Sequence, residues 1–235
     1  MNFSLENYWK TIYKTRINEN YQTQSIQSKE IINWHRKYIE VNLATIFKDY
    51  NPRVLDIGCC SGYLTNLFCK FSDDVVGIDY QEGFILEAKK KYSNPKFYTG
   101  NIYDLEKIDG VFDLLVCFGV LQNISDLELV FKNIKLKLSE RLYSKALFTT
   151  INYNSVFNGN HFGRKLTHPK EKEEFKLNVY SREEFDKFTK ACGLKLTSYK
   201  YMYVLPEFLE PYSFLVKKIL PSTFSHHVFI EVQHA

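Results

Sequence analysis

Short apolar segments alternate with amphipathic ones between residues 53 and 150, and this pattern constrains the fold more than any other feature of the sequence. The apolar segments lack polar alternation, as expected of strands whose two faces are both covered by helices. Strands are predicted at 53–58, 74–79, 96–100, 112–119 and 142–150, and helices at 62–71, 82–92 and 125–140. This order predicts an α/β fold with a doubly wound parallel sheet and right-handed crossovers.

A polar stretch follows the predicted fifth strand. Residues 152–178 contain two glycines and one proline, and the stretch is long for a plain connection. We therefore predict a lid or substrate loop there. Beyond it, Ser181 is placed to cap a helix that ends before Gly193, and Ser125 is placed to cap the helix at 125–140.

Charge and hydropathy exclude several classes of protein. The net charge is +4, and the most basic stretch, residues 164–176, carries five basic and three acidic residues, which is typical of a solvated loop. No apolar run reaches the ~18 residues that span a bilayer, and the first ten residues form no apolar signal core. We therefore predict a cytoplasmic protein with no transmembrane segment and no nucleic-acid partner.

The cysteines indicate neither a disulfide framework nor a metal site. Their number is five, and no Cys-x-x-Cys pair occurs. Neighbouring Cys59 and Cys60 are expected to be small residues that fill a turn.

The candidate ligand site is the turn within VLDIGCCSG, residues 54–62. Ligands of open parallel sheets bind beyond the carboxyl ends of the strands, and Gly58 and Gly62 let the backbone pass close beneath a ligand. Cys60 replaces the middle glycine of a dinucleotide fingerprint, and no P-loop is present. We therefore expect a ligand smaller than a dinucleotide, with Asp79 placed to accept hydrogen bonds from two ribose hydroxyls.

Four motifs in order give the chain a resemblance to the class I S-adenosylmethionine-dependent methyltransferases: VLDIGCCSG, VVGID, GNIYD and FDLLVCFGVLQNISD. The resemblance implies a seven-stranded, mostly parallel doubly wound sheet whose last strand is antiparallel. It also implies S-adenosylmethionine as cofactor and S-adenosylhomocysteine as product. The chain is then one methyltransferase domain, with an N-terminal helical cap (1–50), a cofactor-binding core (51–150), the lid (151–180) and a C-terminal helix and strands that complete the sheet (181–235).

The resemblance further implies which residues contact the cofactor. Asp56 would organise the amino group, directly or through water, and Asp79 would hold the ribose. Asn101 and Ile102 would border the adenine, and the family often has Asp where Asn101 stands. The alternative reading of Asn101 is that it only forms a turn. Phe118 and Gly119 would face the sulfonium and its methyl group. The full set implied is Asp56, Gly58, Cys60, Gly62, Asp79, Tyr80, Asn101, Ile102, Phe118 and Gly119.

The acceptor side rests on fewer residues. Family members with small acceptors often have a histidine where this chain has Asn123, which can orient an acceptor but cannot act as a base. A hydroxyl acceptor loses a proton on methylation, so His161 and His168 of the predicted lid become candidate bases. Tyr153 and Tyr180 are candidates to orient the acceptor.

The predicted function is methylation of a small polar metabolite or sugar, with O-methylation expected, by a monomer or homodimer. The Asn-Pro-Pro-Tyr motif of adenine or glutamine methylation is absent, as is the Pro-Cys pair of cytosine methylation. Three alternatives remain open. The acceptor could be quinone-like or lipid-like, seated on the apolar segment 201–224, or it could be tRNA or protein. The chain could also be a non-catalytic binding partner.

Overall fold

The computed structural model of the chain describes residues 29–155, 165–167, 174–203, 220–225 and 227–235. A seven-stranded sheet lies at the centre of this part of the molecule. Its strands are β1 (Arg53–Ile57), β2 (Asp74–Asp79), β3 (Lys96–Thr99), β4 (Leu114–Phe118), β5 (Lys145–Ile151), β8 (Leu194–Met202) and β9 (His227–His234). Strands β6 (Lys165–Thr167) and β7 (Glu174–Lys176) form a separate antiparallel pair.

The strand order in the sheet is β3-β2-β1-β4-β5-β9-β8. Strands β1 to β5 pair in parallel, whereas β9 is antiparallel to both of its neighbours, β5 and β8. The predicted sheet, with its last strand antiparallel, is therefore confirmed. The chain runs outward from β1 to β3 and then returns to β4, so the carboxyl ends of β1 and β4 border a topological switch point, where ligands of such sheets bind.

Helices cover both faces of the sheet. They are α1 (Lys29–Lys37), α2 (Tyr63–Phe68), α3 (Glu82–Lys91), α4 (Leu127–Lys137) and α5 (Arg182–Ala191). Helix α1 continues through a π-helical segment, Tyr38–Leu43, into a last α-helical turn, Ala44–Ile46. Short 3-10 helices span Ile102–Lys107, Leu121–Asn123 and Ser222–Phe224.

Alternate apolar residues of the central strands enter two different cores, as the two-residue period of a strand requires. On one face, Val116 of β4 packs with Leu43 and Phe68 beneath the α1 segment and α2. On the other face, Leu115 packs with Phe131 of α4 and Phe185 of α5. Both faces of the central strands are therefore buried, which explains why a strand such as β4 is apolar throughout.

The two predicted helix caps have different outcomes. Ser181 caps α5 in a capping box, since its hydroxyl accepts from Glu184 N and the Glu184 carboxylate accepts from Ser181 N. The prediction for Ser125 is wrong, because Asp126 caps α4 by accepting from Leu129 N at 2.9 Å.

Several predicted segments lie partly outside the described residues. Of the N-terminal cap, the structure describes residues 29–50, and residues 1–28 lie outside it. Of the predicted lid, it describes residues 151–155, β6, β7 and 177–180. Within the described ranges, none of the helices has both the length and the apolar character that crossing a membrane would need.

Candidate cofactor and acceptor site

The backbone of the turn between β1 and α2 is anchored to the neighbouring strand. The N–H groups of Gly58 and Cys59 both donate to the carbonyl of Ile78, at 2.8 and 3.0 Å. Gly58 has a φ of +79°, and a Cβ at this position would lie 2.3 Å from Cγ2 of Val120. Glycine is therefore required here both by the left-handed conformation and by the close approach of the loop that follows β4.

The other two predicted turn residues are also left-handed. Gly62 has a φ of +82°, and a Cβ there would lie 2.6 Å from the ring of Phe97. Cys60 has a φ of +48°, which costs a residue with a side chain roughly 1 kcal/mol. Burial raises the pKa of the Cys59 and Cys60 thiols well above their ordinary value, so both remain protonated at neutral pH.

Asp79 connects the turn after β1 to the turn after β2. Its Oδ2 accepts from Cys60 N at 3.0 Å, and its Oδ1 accepts from Gln81 N at 2.9 Å. Burial raises the pKa of Asp79 to about 6, and the two backbone donors oppose that rise. Each carboxylate oxygen can accept more than one hydrogen bond, so Asp79 retains the capacity to bind a diol.

Asp56 lies at the same edge of the sheet and is also buried. Thr65 of α2 donates its hydroxyl to Oδ2 of Asp56 at 2.6 Å. Burial raises the pKa of Asp56 to about 7, the Thr65 hydrogen bond lowers it, and the charge of Asp79 raises it again. Two buried acids with raised pKa values therefore flank the turn, as is common where a ligand completes the local charge balance.

Asn101 and Ile102, which are predicted to border the adenine, follow β3, and Tyr80, a further predicted cofactor contact, follows β2. Oδ1 of Asn101 accepts from Tyr103 N at 3.1 Å, so Asn101 forms the turn that opens the 3-10 helix. Ile102 is buried, whereas 37% of Tyr80 is exposed. The turn-forming role of Asn101 is thus present, and its contact with adenine stays a prediction.

A surface groove of about 680 Å³ runs along the edge strand β3. Tyr80, Gly100 and Asn101 line one end, and Arg53 and Lys96, the first residues of β1 and β3, line the other. The groove does not include Asp56, Asp79 or Phe118. Only its Asn101 end therefore adjoins the candidate cofactor site.

The loop after β4 is held in place by a residue that the sequence did not single out. Gln122 donates from Nε2 to the carbonyl of Gly119 at 2.6 Å and accepts at Oε1 from the Thr150 hydroxyl at 3.5 Å. Its own carbonyl accepts from Asn178 N at 2.7 Å. Gly119, with a φ of +72°, donates its N–H to Thr149 O at 2.9 Å. The predicted sulfonium-facing segment is therefore fixed to β5.

Two buried polar atoms near this loop have no hydrogen-bond partner in the described part of the chain, namely Oδ1 of Asn123 and Nδ1 of His35. His35 lies on α1, and its ring stacks on Phe118 with centroids 4.3 Å apart and planes 13° apart. Its Nε2 lies 3.0 Å from Oγ1 of Thr149. Burial, with a smaller effect from His227, lowers the pKa of His35 to about 3, so the ring is neutral at physiological pH.

Sequence reasoning missed His35, although the sequence carries a signal. Ile31, His35 and Ile39 are spaced four residues apart, and both isoleucines are buried. A polar residue between two apolar ones on such a helix face lies at a core position.

The predicted acceptor-side residues are only partly described. His161 and His168 lie outside the described residues. Tyr153 follows β5 and is half-buried. Tyr180 donates its hydroxyl to Ile124 O at 2.6 Å, which ties it to the loop after β4. Within the described ranges, no group of three or more His, Cys, Asp or Glu side chains is arranged to hold a metal ion.

Solved structures of other proteins share this architecture. An S-adenosylmethionine-dependent methyltransferase from Clostridium acetobutylicum has a solved structure that matches with a TM-score of 0.64 and 17% identity, over 99% of this chain and 100% of that chain. The sheet therefore has the Rossmann-like class I methyltransferase fold. Residues 55–140 match the family model described as a methyltransferase domain. This segment is therefore similar to known methyltransferase domains.

Two curated relatives match part of the chain. A ubiquinone biosynthesis O-methyltransferase from Coxiella burnetii is 29% identical over 153 residues, which cover 57% of this chain and 64% of that protein. A malonyl-[acyl-carrier protein] O-methyltransferase from Priestia megaterium is 28% identical over 152 residues, covering 60% of this chain and 52% of that protein. The chain thus spans between half and two thirds of the length of these two relatives.

Proposed function

We propose that the chain is an S-adenosylmethionine-dependent methyltransferase that methylates a hydroxyl group of a small molecule, with a small polar metabolite or sugar as the first candidate. The observation that carries the proposal is the buried Asp79 carboxylate, which holds the turn after β1 and keeps acceptor capacity for a ribose diol. The methyltransferase domain match over residues 55–140 covers this turn.

The residues present fit the cofactor. Gly58 adds no side chain to the turn after β1, so its backbone can pass close to a ligand. Asp56 is a buried acid suited to an amino group. When bound, the cofactor supplies a sulfonium methyl that needs no further activation. The chain therefore has to hold the acceptor in line with it, exclude water and receive the acceptor proton.

The two curated relatives support oxygen as the acceptor atom, since both are named as O-methyltransferases. The name of the Coxiella burnetii relative also supports a second candidate acceptor, a hydroxylated quinone precursor. The name of the Priestia megaterium relative includes an acyl-carrier protein, so it supports an acceptor carried by a protein as an alternative. Neither name supports tRNA as acceptor or a non-catalytic role.

Calorimetry tests the cofactor. The purified chain should bind S-adenosylhomocysteine in the micromolar range, about 8 kcal/mol, and should bind NAD more weakly. No binding of S-adenosylhomocysteine, or tighter binding of NAD, would overturn the proposal.

An acceptor panel tests the reaction. S-adenosylhomocysteine release is measured with hydroxylated metabolites, nucleotide sugars, quinols, tRNA and protein. We expect release with a small hydroxyl acceptor, and affinity for it that changes little with salt. Activity confined to tRNA, with affinity that falls steeply as salt rises, or activity confined to protein would refute the small-molecule assignment.

The lid histidines remain candidate bases. If one of them removes the acceptor proton, the rate should rise through a pKa near 6.5, and His161→Ala or His168→Ala should lower it about 10²-fold. Full activity of both variants on a hydroxyl acceptor would exclude this role.

A further inference from the structure

We propose that Nδ1 of His35 receives the hydrogen bond of the acceptor hydroxyl, so that His35 binds and orients the acceptor beside Phe118. The proposal rests on the proposed hydroxyl methylation, and it assigns the acceptor contact to α1 instead of the lid.

The position of the ring supports this role. His35 lies over Phe118 and Thr149, which are register partners at the carboxyl-terminal parts of β4 and β5. The next residue, Gly119, begins the loop whose Val120 approaches the cofactor turn at Gly58. His35 is therefore placed at the edge of the sheet where the candidate cofactor site ends.

The hydrogen bonding of the ring points to a ligand. Nε2 is engaged by Thr149, whereas Nδ1 is buried and without a partner among the described residues. Leaving such an atom unpaired costs about 1–3 kcal/mol. A leucine or phenylalanine would fill this core position without that cost, so packing alone does not account for a histidine. A hydrogen bond from a ligand would remove the cost.

The reaction requires one tautomer of the ring. The Nε2–H group donates to Oγ1 of Thr149, and the lone pair of Nδ1 accepts the hydrogen of the acceptor O–H. The acceptor oxygen then attacks the methyl carbon with its own lone pair, the C–S bond breaks, and its electron pair stays on sulfur. The hydroxyl proton passes to Nδ1 as the C–O bond forms and is released to water when the product leaves.

A neutral ring suits this position. Burial, assisted by His227 of β9, holds the pKa of His35 at about 3. His35 therefore adds no positive charge beside the expected sulfonium. The hydroxyl proton becomes strongly acidic only as the new bond forms, so the contribution of His35 is mainly orientation. Since the side chain has no exposed surface, acceptor entry requires a local opening at this edge of the sheet.

A pair of substitutions separates the two ring nitrogens. Asparagine carries its terminal atoms on Cγ, as histidine carries Nδ1, whereas the longer glutamine reaches toward the position of Nε2. We expect His35→Asn to retain activity within about 10-fold of the parent chain. We expect His35→Gln and His35→Phe to lose roughly 10²-fold in kcat/KM for the hydroxyl acceptor that the panel identifies. All three should bind S-adenosylhomocysteine within about threefold of the parent chain. If His35 served only to hydrogen-bond Thr149 through Nε2, His35→Gln would be more active than His35→Asn. Either that order or full activity of His35→Phe would overturn the proposal.

A spectroscopic measurement needs no acceptor. ¹⁵N spectra of the histidine side chains in the complex with S-adenosylhomocysteine, assigned by comparison with His35→Phe, should show a neutral ring protonated on Nε2 between pH 5 and 9. A ring protonated on Nδ1, or charged in this range, would overturn the proposal. Failure of the proposed function is seen separately, as a parent chain that methylates no hydroxyl acceptor.

Discussion

Replacing Asp79, the last residue of β2, by asparagine should weaken cofactor binding. The carboxylate accepts from Cys60 N and Gln81 N at 3.0 and 2.9 Å. Asparagine offers one oxygen, so one of the two backbone donors loses its acceptor. A hydrogen bond to a charged group contributes about 1.5–3 kcal/mol. Losing the charged ribose acceptor therefore predicts roughly 10- to 100-fold weaker binding.

The assay is calorimetric titration of S-adenosylhomocysteine at pH 8, with the parent chain and two variants. Asp126→Asn is the matched control, because Asp126 caps α4 and asparagine caps a helix about as well as aspartate. We expect that control to bind within about twofold of the parent chain.

The pH dependence adds a second measurement. The pKa of Asp79 is raised to about 6, and the ionised form is the better acceptor for ribose hydroxyls. The affinity of the parent chain should therefore rise about tenfold more between pH 5 and 7 than that of Asp79→Asn, since the ionised fraction grows about tenfold in this interval. An Asp79→Asn protein that unfolds at lower denaturant but keeps full affinity at pH 8 would refute the ribose role and leave Asp79 as an anchor of the turn.

Three further predictions concern stability, and denaturant unfolding measures each of them. Gly58→Ala should lower the free energy of unfolding by about 1–3 kcal/mol, because a Cβ there would lie 2.3 Å from Val120 at a φ of +79°. The control is Gly100→Ala, whose Cβ would meet nothing nearer than 3.5 Å and which should cost less than about 1 kcal/mol. Equal losses in the two variants would contradict the steric explanation. Ser181→Ala should lower the free energy of unfolding by about 1 kcal/mol through loss of the capping box, while Ser125→Ala should change it by less than about 0.5 kcal/mol. The opposite ranking would indicate that Ser125 acts as a helix cap. The folded-state pKa of Asp56 is raised from 3.8 to about 7, so its contribution to stability is highest at low pH and falls as pH rises from about 4 to 7. In that window the free energy of unfolding of the ligand-free Asp56→Asn protein should therefore rise, relative to that of the parent chain, by up to about 1.4 kcal/mol per pH unit. A difference that does not change with pH would show that Asp56 is not buried as a carboxyl.

The central fold could be predicted from the sequence because its determinants are local. Strands such as β4 are buried on both faces, so each appears as an apolar run, and connections such as α4 appear as amphipathic ones. Gly58 and Gly62 were recognisable because the left-handed backbone of the turn favours glycine. Asp79 was recognisable because it ends the second strand of the same pattern.

Features that depend on contacts distant in sequence could not be predicted in this way. Ser125 and Asp126 are both good capping residues, and the choice between them is settled by Tyr103, whose hydroxyl accepts the N–H groups of both at 3.1 and 3.3 Å. That contact occupies the N–H groups of Ser125 and Asp126, and the helix begins one residue later than predicted. Gln122 was likewise missed because its partners, Thr150 and Asn178, lie far along the chain.

The residues that would contact the methyl acceptor were harder still to predict, because they too depend on contacts between residues distant in sequence. Methylation of a hydroxyl requires a group that receives a proton, and the sequence offered His161 and His168 because they follow the cofactor core in a polar loop. His35 precedes that core by about 20 residues, on a helix face that reads as ordinary core. His35 reaches the candidate site only because α1 lies across β4 and β5, where the ring contacts Phe118 and Thr149.

The two candidate proton acceptors, His35 and a histidine of the predicted lid, differ in the pH dependence that they predict. A solvent-exposed histidine has a pKa near 6.5, and we expect this of His161 and His168 if the predicted lid is correct, whereas burial lowers the pKa of His35 to about 3. A rate on a hydroxyl acceptor that does not change between pH 5.5 and 8, after correction for cofactor affinity, would therefore favour His35, and a rise through pH 6–7 that His161→Ala or His168→Ala abolishes would favour the lid.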